Sequence, residues 1–146
     1  MLKRKSNRDW STLDYAVLYY VWQNRILTTR HFINKFWPGA KEGEVRKNLA
    51  KFVNRQWLNR YSVPWIKEKF LYTSCRLGNK TLIELGLILP RYLNDFPRSQ
   101  MDFSESVKHD LQVVDVRIAF ERSGLIDNWT SDHQLRLARR RDGITS

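Results

Sequence analysis

The sequence predicts a mainly α-helical chain that carries one small β-hairpin. Three observations lead there. Apolar residues recur at helical spacing in three consecutive stretches before residue 57. Two β-rich runs, 57–63 and 70–77, then flank a turn that opens at Pro64. A further apolar-periodic stretch begins near Glu105.

The first helix is expected over residues 12–25. Ser11 is its N-cap, and Asp14 lies in its first turn. Leu13, Val17, Tyr20 and Val21 give it one apolar face. Ile26-Leu27-Thr28-Thr29 is short and β-rich. Thr28 can cap a second helix over 29–37, in which Phe32, Ile33 and Phe36 point inward; Pro38-Gly39 stops it. The third helix is expected from residue 42 or 43 to 56, with Val45, Leu49, Phe52 and Val53 as its apolar stripe. At about 100° per residue, Lys47, Lys51, Asn54 and Arg55 fall on the opposite face. That face is expected to contain no acid.

Residues 57–63 form the first hairpin strand, 64–69 the turn and 70–77 the returning strand. Gly78-Asn79 is expected to break that strand, and a short fourth helix from Lys80 to about Leu89 to end at Pro90. Helix, helix, helix, hairpin is the order of a winged helix-turn-helix. In that fold the third helix enters the DNA major groove and the hairpin tip touches backbone or minor groove.

A helical extension follows. Residues 91–104 read as a linker, with Pro97 and several small polar residues. In the helix that begins near Glu105, Val107, Leu111, Val114 and Ile118 make one stripe, while Val113, Val116 and Phe120 make a second, nearly opposite. A helix apolar on two sides needs a neighbour on each. One side is expected to pack on the preceding domain, the other on a twin subunit or a different protein. Gly124 ends this helix. Residues 128–132 make a capped loop before a basic segment from His133 to Arg141. The tail from Arg139 to Ser146 reads as that of a chain stopping inside a larger architecture. The expected division is a basic arm at 1–9, the winged helix at 10–90, the linker at 91–104 and the extension at 105–146.

Charge points to the partner. The formal net charge is +11 and the sequence pI about 10.1. Residues 1–60 carry 13 Lys/Arg against 4 Asp/Glu; residues 61–108 carry 7 against 5; residues 109–146 carry 6 against 6. A surplus confined to the N-terminal part suits a polyanion better than a general solubility surface, and nucleic acid is the commonest polyanion. No apolar run approaches the ~20 residues of a membrane span. The basic start is not followed by a signal-peptide core. One cysteine, Cys75, excludes an internal disulfide framework and a multi-cysteine zinc site, and suits a reducing cytoplasm. A cytoplasmic protein associated with nucleoid or plasmid DNA is expected.

The expected DNA contacts are Lys47, Lys51, Asn54 and Arg55 on the third helix, with Arg46 beside them. Asn54 could read adenine and Arg55 guanine, because both side chains make paired hydrogen bonds to those bases. The bland alternative is a solvated helix face. Arg30 and His31 could hold phosphate at the start of the second helix, and Lys67 and Lys69 could do so from the wing. Lys3, Arg4, Lys5 and Arg8 could reach a minor groove as an arm, or be a loose basic tail. Trp22, Phe36, Phe52 and Trp57 read as core, whereas Trp65 at the wing tip could wedge against DNA or seal a protein contact.

Catalysis is not expected. His109, Asp110, Asp115, Asp132 and His133 could in principle gather as metal ligands. Yet His109 and Asp110 are adjacent, so they point apart on a helix, and no HExxH or paired-acid pattern is present. Capping suits His109 or Asp110, and salt bridges with Arg117 or Arg122 suit Asp115. No cofactor motif is present.

Two stretches together resemble the replication-relaxation family of bacterial plasmids and mobile elements. One is Tyr72-Thr73-Ser74-Cys75-Arg76-Leu77-Gly78-Asn79-Lys80-Thr81, which looks like that family's passage from strand to Gly-containing helix. The other is His109-Asp110-Leu111-Gln112-Val113-Val114-Asp115-Val116-Arg117, similar to the family's His-x-Leu-x-Val-Asn-Asp helix, with Val114 where the family has Asn. Trp129 and Asp132-His133-Gln134-Leu135-Arg136 are similar to the Trp and Leu-Arg positions that follow. Family members continue into a mixed α/β, nuclease-like domain, so the resemblance implies a short or truncated member. The resemblance implies a DNA-binding half with a role in replication, relaxation or mobilisation of a mobile element. A protein–protein assembly module without base reading is the competing expectation. RNA binding also suits the charge, but no aromatic single-strand platform favours it.

Overall fold

Ser11 and Asp14 start the first helix by exchanging bonds. The Ser11 Oγ accepts the Asp14 N–H at 3.2 Å, and the Asp14 carboxylate accepts the Ser11 N–H at 2.9 Å. The computed structural model describes residues 10–64, 66–97 and 106–124. Within them the order is α1 (Thr12–Asn24), β1 (Leu27–Thr28), α2 (Thr29–Phe36), α3 (Glu42–Asn54), β2 (Leu58–Tyr61), β3 (Leu71–Ser74), α4 (Arg76–Glu84), a 3-10 turn (Pro90–Tyr92) and α5 (Ser106–Ser123). The chain is mainly helical, with a small three-stranded antiparallel sheet ordered β1-β3-β2.

The β-rich Ile26–Thr29 stretch supplies the third strand. Leu27 pairs with Tyr72 and Thr28 with Leu71, while β2 pairs along the other side of β3 from Leu58↔Ser74 to Tyr61↔Leu71. Thr28 then caps α2 as expected, and its partner is unusual. His31 occupies the position where Glu or Gln commonly closes a capping box. Its Nδ1 accepts the Thr28 N–H at 3.1 Å, and its own N–H is accepted by the Thr28 hydroxyl at 3.4 Å. α2 ends at Phe36, ahead of Pro38 and of Gly39 at φ +84°.

The stretch after β3 departs from expectation. Gly78-Asn79 does not break a strand; both residues are buried inside α4, which starts at Arg76. Gly78 lies where α4 crosses the Trp57 backbone, and a Cβ there would stand 2.2 Å from the Trp57 carbonyl oxygen. Asn79 ties down the following segment: its Nδ2 donates to the carbonyls of Tyr92, Leu93 and Asp95 at 3.1–3.2 Å. α4 ends before Gly86, at φ +75°, rather than near Pro90.

The main core joins Val17, Leu18 and Val21 of α1 to Phe32, Leu49, Phe52, Leu58, Tyr72 and Leu82. Trp10 closes one end, its ring 4.6 Å from Trp57 and 5.2 Å from Phe52. The expected first stripe of α5 is wholly buried: Val114 and Ile118 join this core, and Val107 and Leu111 join Ile26, Val63, Ile66 and Leu71 in a second cluster. Each such side chain contributes on the order of 1.5–3 kcal/mol relative to exposure.

Polar side chains fix α5 in register. Glu121 accepts from the Tyr20 hydroxyl at 2.8 Å, Lys35 Nζ at 2.9 Å and Arg117 Nε at 3.0 Å. Arg117 is itself buried, lies 4.5 Å over the Tyr20 ring, and donates to Asn24 at 3.0 Å. Asp115 does not pair with Arg117 or Arg122. It reaches back to α2, 2.8 Å from His31 Nε2 and 3.6 Å from Arg30.

Candidate nucleic-acid interface

α3 turns Val45, Leu49 and Phe52 into the core and so presents its other face to solvent. Lys47, Lys51, Asn54 and Arg55 are all exposed there. The side chains of Lys47, Lys51 and Asn54 form no ion pair or hydrogen bond among the described residues. Arg55 caps the C-terminal end, its guanidinium 5.8 Å from the Trp57 ring centre.

Three corrections apply to the expected contacts. Arg46 turns away from this face and pairs with Glu42 one turn earlier, at 2.7 Å, as the ~100° step between neighbours requires. The face also contains an acid. Glu44 is exposed and lines an open groove with Lys47, Asn48, Lys51, Trp37 and Ala40. The 3- and 7-residue spacings to Lys47 and Lys51 carried that signal, because residues so spaced share a helix face. His31 is not a phosphate ligand, for it is fully buried with both ring nitrogens occupied.

Those bonds fix the His31 tautomer. Nδ1 accepts from a backbone N–H, so the ring proton sits on Nε2 and is donated to Asp115. Burial holds the His31 pKa below its ordinary value, and the Asp115 carboxylate opposes that shift only in part. At Glu121, burial alone would raise the pKa, but Lys35, Tyr20 and Arg117 together hold it below the usual carboxylate range. Burial pushes the Tyr20 hydroxyl well up. These are structural groups between α1, α2 and α5.

Arg30 remains more than half exposed but is paired, 3.4 Å from Glu68 as well as near Asp115. Lys67 and Lys69 are exposed on the hairpin loop. They share a groove with Arg30, Glu42 and Glu68, so the loop offers cations interleaved with acids. Arg60, not singled out from the sequence, extends the basic surface along β2, 4.5 Å over the Phe70 ring. Lys3, Arg4, Lys5, Arg8, Trp65 and everything beyond Gly124, with Asp132 and His133, lie outside the described residues. Of the second α5 stripe, Val113 is half-buried, while Val116 and Phe120 are 47% and 40% exposed.

Among the described residues no three His, Cys, Asp or Glu side chains gather as a metal site, and no helix is long and apolar enough to cross a membrane. Cys75 is buried, with its thiol donating to the Gln56 carbonyl. Comparison with known proteins gives no match, whether to family models, to curated sequences or to solved structures.

Proposed function

We propose that this protein binds double-stranded DNA as a winged helix-turn-helix, with α3 in the major groove and the β2–β3 loop as the wing. One observation carries the reading: the outward face of α3 holds Lys47, Lys51 and Asn54 exposed and unengaged, with Arg55 at its end. Such a face has nothing to satisfy inside the fold. The helix, strand, helix, helix, hairpin order with a β1-β3-β2 sheet is compatible with that fold. Phosphate contacts set affinity and orientation, and base contacts add selectivity. Following the likeness of residues 72–81 and 109–117 to replication-relaxation proteins, we assign the protein a role in replication, mobilisation or transcription of a mobile element, as a cytoplasmic regulator or accessory factor rather than an enzyme.

The test is retention of random and plasmid-derived duplex at low salt by the intact chain and by the Lys47→Ala/Lys51→Ala variant. Loss of binding at unchanged melting temperature supports the reading. Equal binding by both proteins removes α3 from the interface.

A second reading, assembly with a twin subunit or another protein, is favoured by the exposed Val116 and Phe120 on α5. Replacing both by serine then lowers the mass measured by sedimentation. An unchanged mass removes the twin-subunit form.

A further inference from the structure

Glu44 sits on a surface that the proposed function turns toward phosphate, where a carboxylate is repelled. The other acids near α3 are engaged: Glu42 with Arg46, and Glu68 with Arg30. The Glu44 side chain forms no ion pair or hydrogen bond among the described residues, although Lys47 stands three residues on. Glu44 shares the first turn of α3 with Glu42, where the helix dipole favours a carboxylate; Glu42 is paired with Arg46, whereas the Glu44 carboxylate stays open to the groove.

We infer that Glu44 and Asn48 are the base-reading pair of α3, and that Glu44 selects cytosine. The inference rests on the DNA-binding reading and deepens it. A carboxylate only accepts hydrogen bonds. In the major groove the amino groups of cytosine and adenine are the available donors, and adenine presents an acceptor nitrogen beside its own. That acceptor repels a carboxylate, so cytosine is the base that remains. Asn48 lies one helical turn further along the same groove and can both donate and accept, the pattern that matches adenine. One turn advances ~5.4 Å, between one and two base steps of ~3.4 Å each. The two side chains therefore face neighbouring or next-but-one base pairs. Lys47 and Lys51 flank them as cations. Asn54 and Arg55 lie at the opposite end from the first turns, which is where a recognition helix meets base edges.

The experiment is selection from a random duplex library by the wild-type chain, Glu44→Gln and Glu44→Ala, with melting temperatures measured in parallel. Wild type is expected to enrich one position for cytosine on the order of tenfold, the discrimination typical of one base pair. Glu44→Gln is expected to move that position toward adenine, because a carboxamide pairs with adenine. Glu44→Ala is expected to flatten it. The same preference in all three proteins, or no preference in any, overturns the inference while leaving DNA binding standing. If the wild type retains no duplex at low salt, the DNA-binding reading itself fails, and this inference with it.

Discussion

At the residue scale, His31 joins two elements through one neutral ring. A second proton would have to go on Nδ1, which accepts the Thr28 N–H, so protonation removes half of the α2 capping box. The folded protein therefore holds the ring unprotonated, with its pKa below the ordinary 6.5. The unfolded chain takes up the proton near that ordinary value, so the stability linked to His31 is complete above about pH 6.5 and declines as the pH falls below it. Glu121 acts in the same direction at lower pH, as its pKa is held below an ordinary 4.5. The expected outcome is a melting temperature that drops between pH 7 and 5.5. In His31→Gln, whose carboxamide can still close the box, the slope over that interval should flatten. A wild-type profile that is level there would show that His31 carries no such linkage. Gly78 gives a sharper case: its Cβ would stand 2.2 Å from a backbone oxygen that no rotamer can move. Gly78→Ala is expected to cost about 1–3 kcal/mol, read as a lower urea midpoint. A glycine next to an asparagine after a β-rich run reads locally as a breaker. Its packing role depends on Trp57, 21 residues earlier, and so is not legible from the neighbourhood.

At the scale of elements, what the sequence reveals follows the range of the interaction. The Ser11–Asp14 box, the Thr28 cap and the Val45–Leu49–Phe52 stripe are all local, and each stands where spacing puts it. The α5 stripe was equally legible. What it packs against was not, because its polar partners lie far back in the chain: Asp115 meets His31, Arg117 meets Asn24, and Glu121 meets Tyr20 and Lys35. Charge alone suggested near neighbours for Asp115, but Arg117 is drawn to Glu121 one turn on and to α1. Leu111 tests whether apolar burial or this polar set dominates the docking. It packs with Ile26, Val63, Ile66 and Leu71. Leu111→Ala is expected to cost about 2–5 kcal/mol, measured by urea unfolding followed at the tryptophans. A loss below about 1 kcal/mol would mean that the polar contacts hold α5 on their own.

At the scale of the whole molecule, the charge surplus of residues 1–60 has to be divided between surface and interior. Arg30 and Lys35 neutralise acids on α5 and on the hairpin loop, and Arg46 neutralises Glu42. They add to net charge while each is already paired with an acid of the chain. Lys47 and Lys51 remain uncommitted on α3. This separation was half legible: the sequence placed Lys47 and Lys51 on the outward face of α3 but did not show which cations were engaged, because ion pairing is tertiary. It bears directly on salt dependence. Binding to duplex DNA releases about 0.9 counterions per phosphate neutralised, so the slope of log affinity against log salt counts the cations that touch backbone. If Lys47 contacts phosphate, Lys47→Ala lowers that slope by about one, uniformly across DNA sequences, and Lys51→Ala does the same. Arg46→Ala, which removes a cation already spent on Glu42, is expected to leave the slope unchanged. Equal losses for all three variants would mean that net charge, rather than the geometry of α3, governs the encounter.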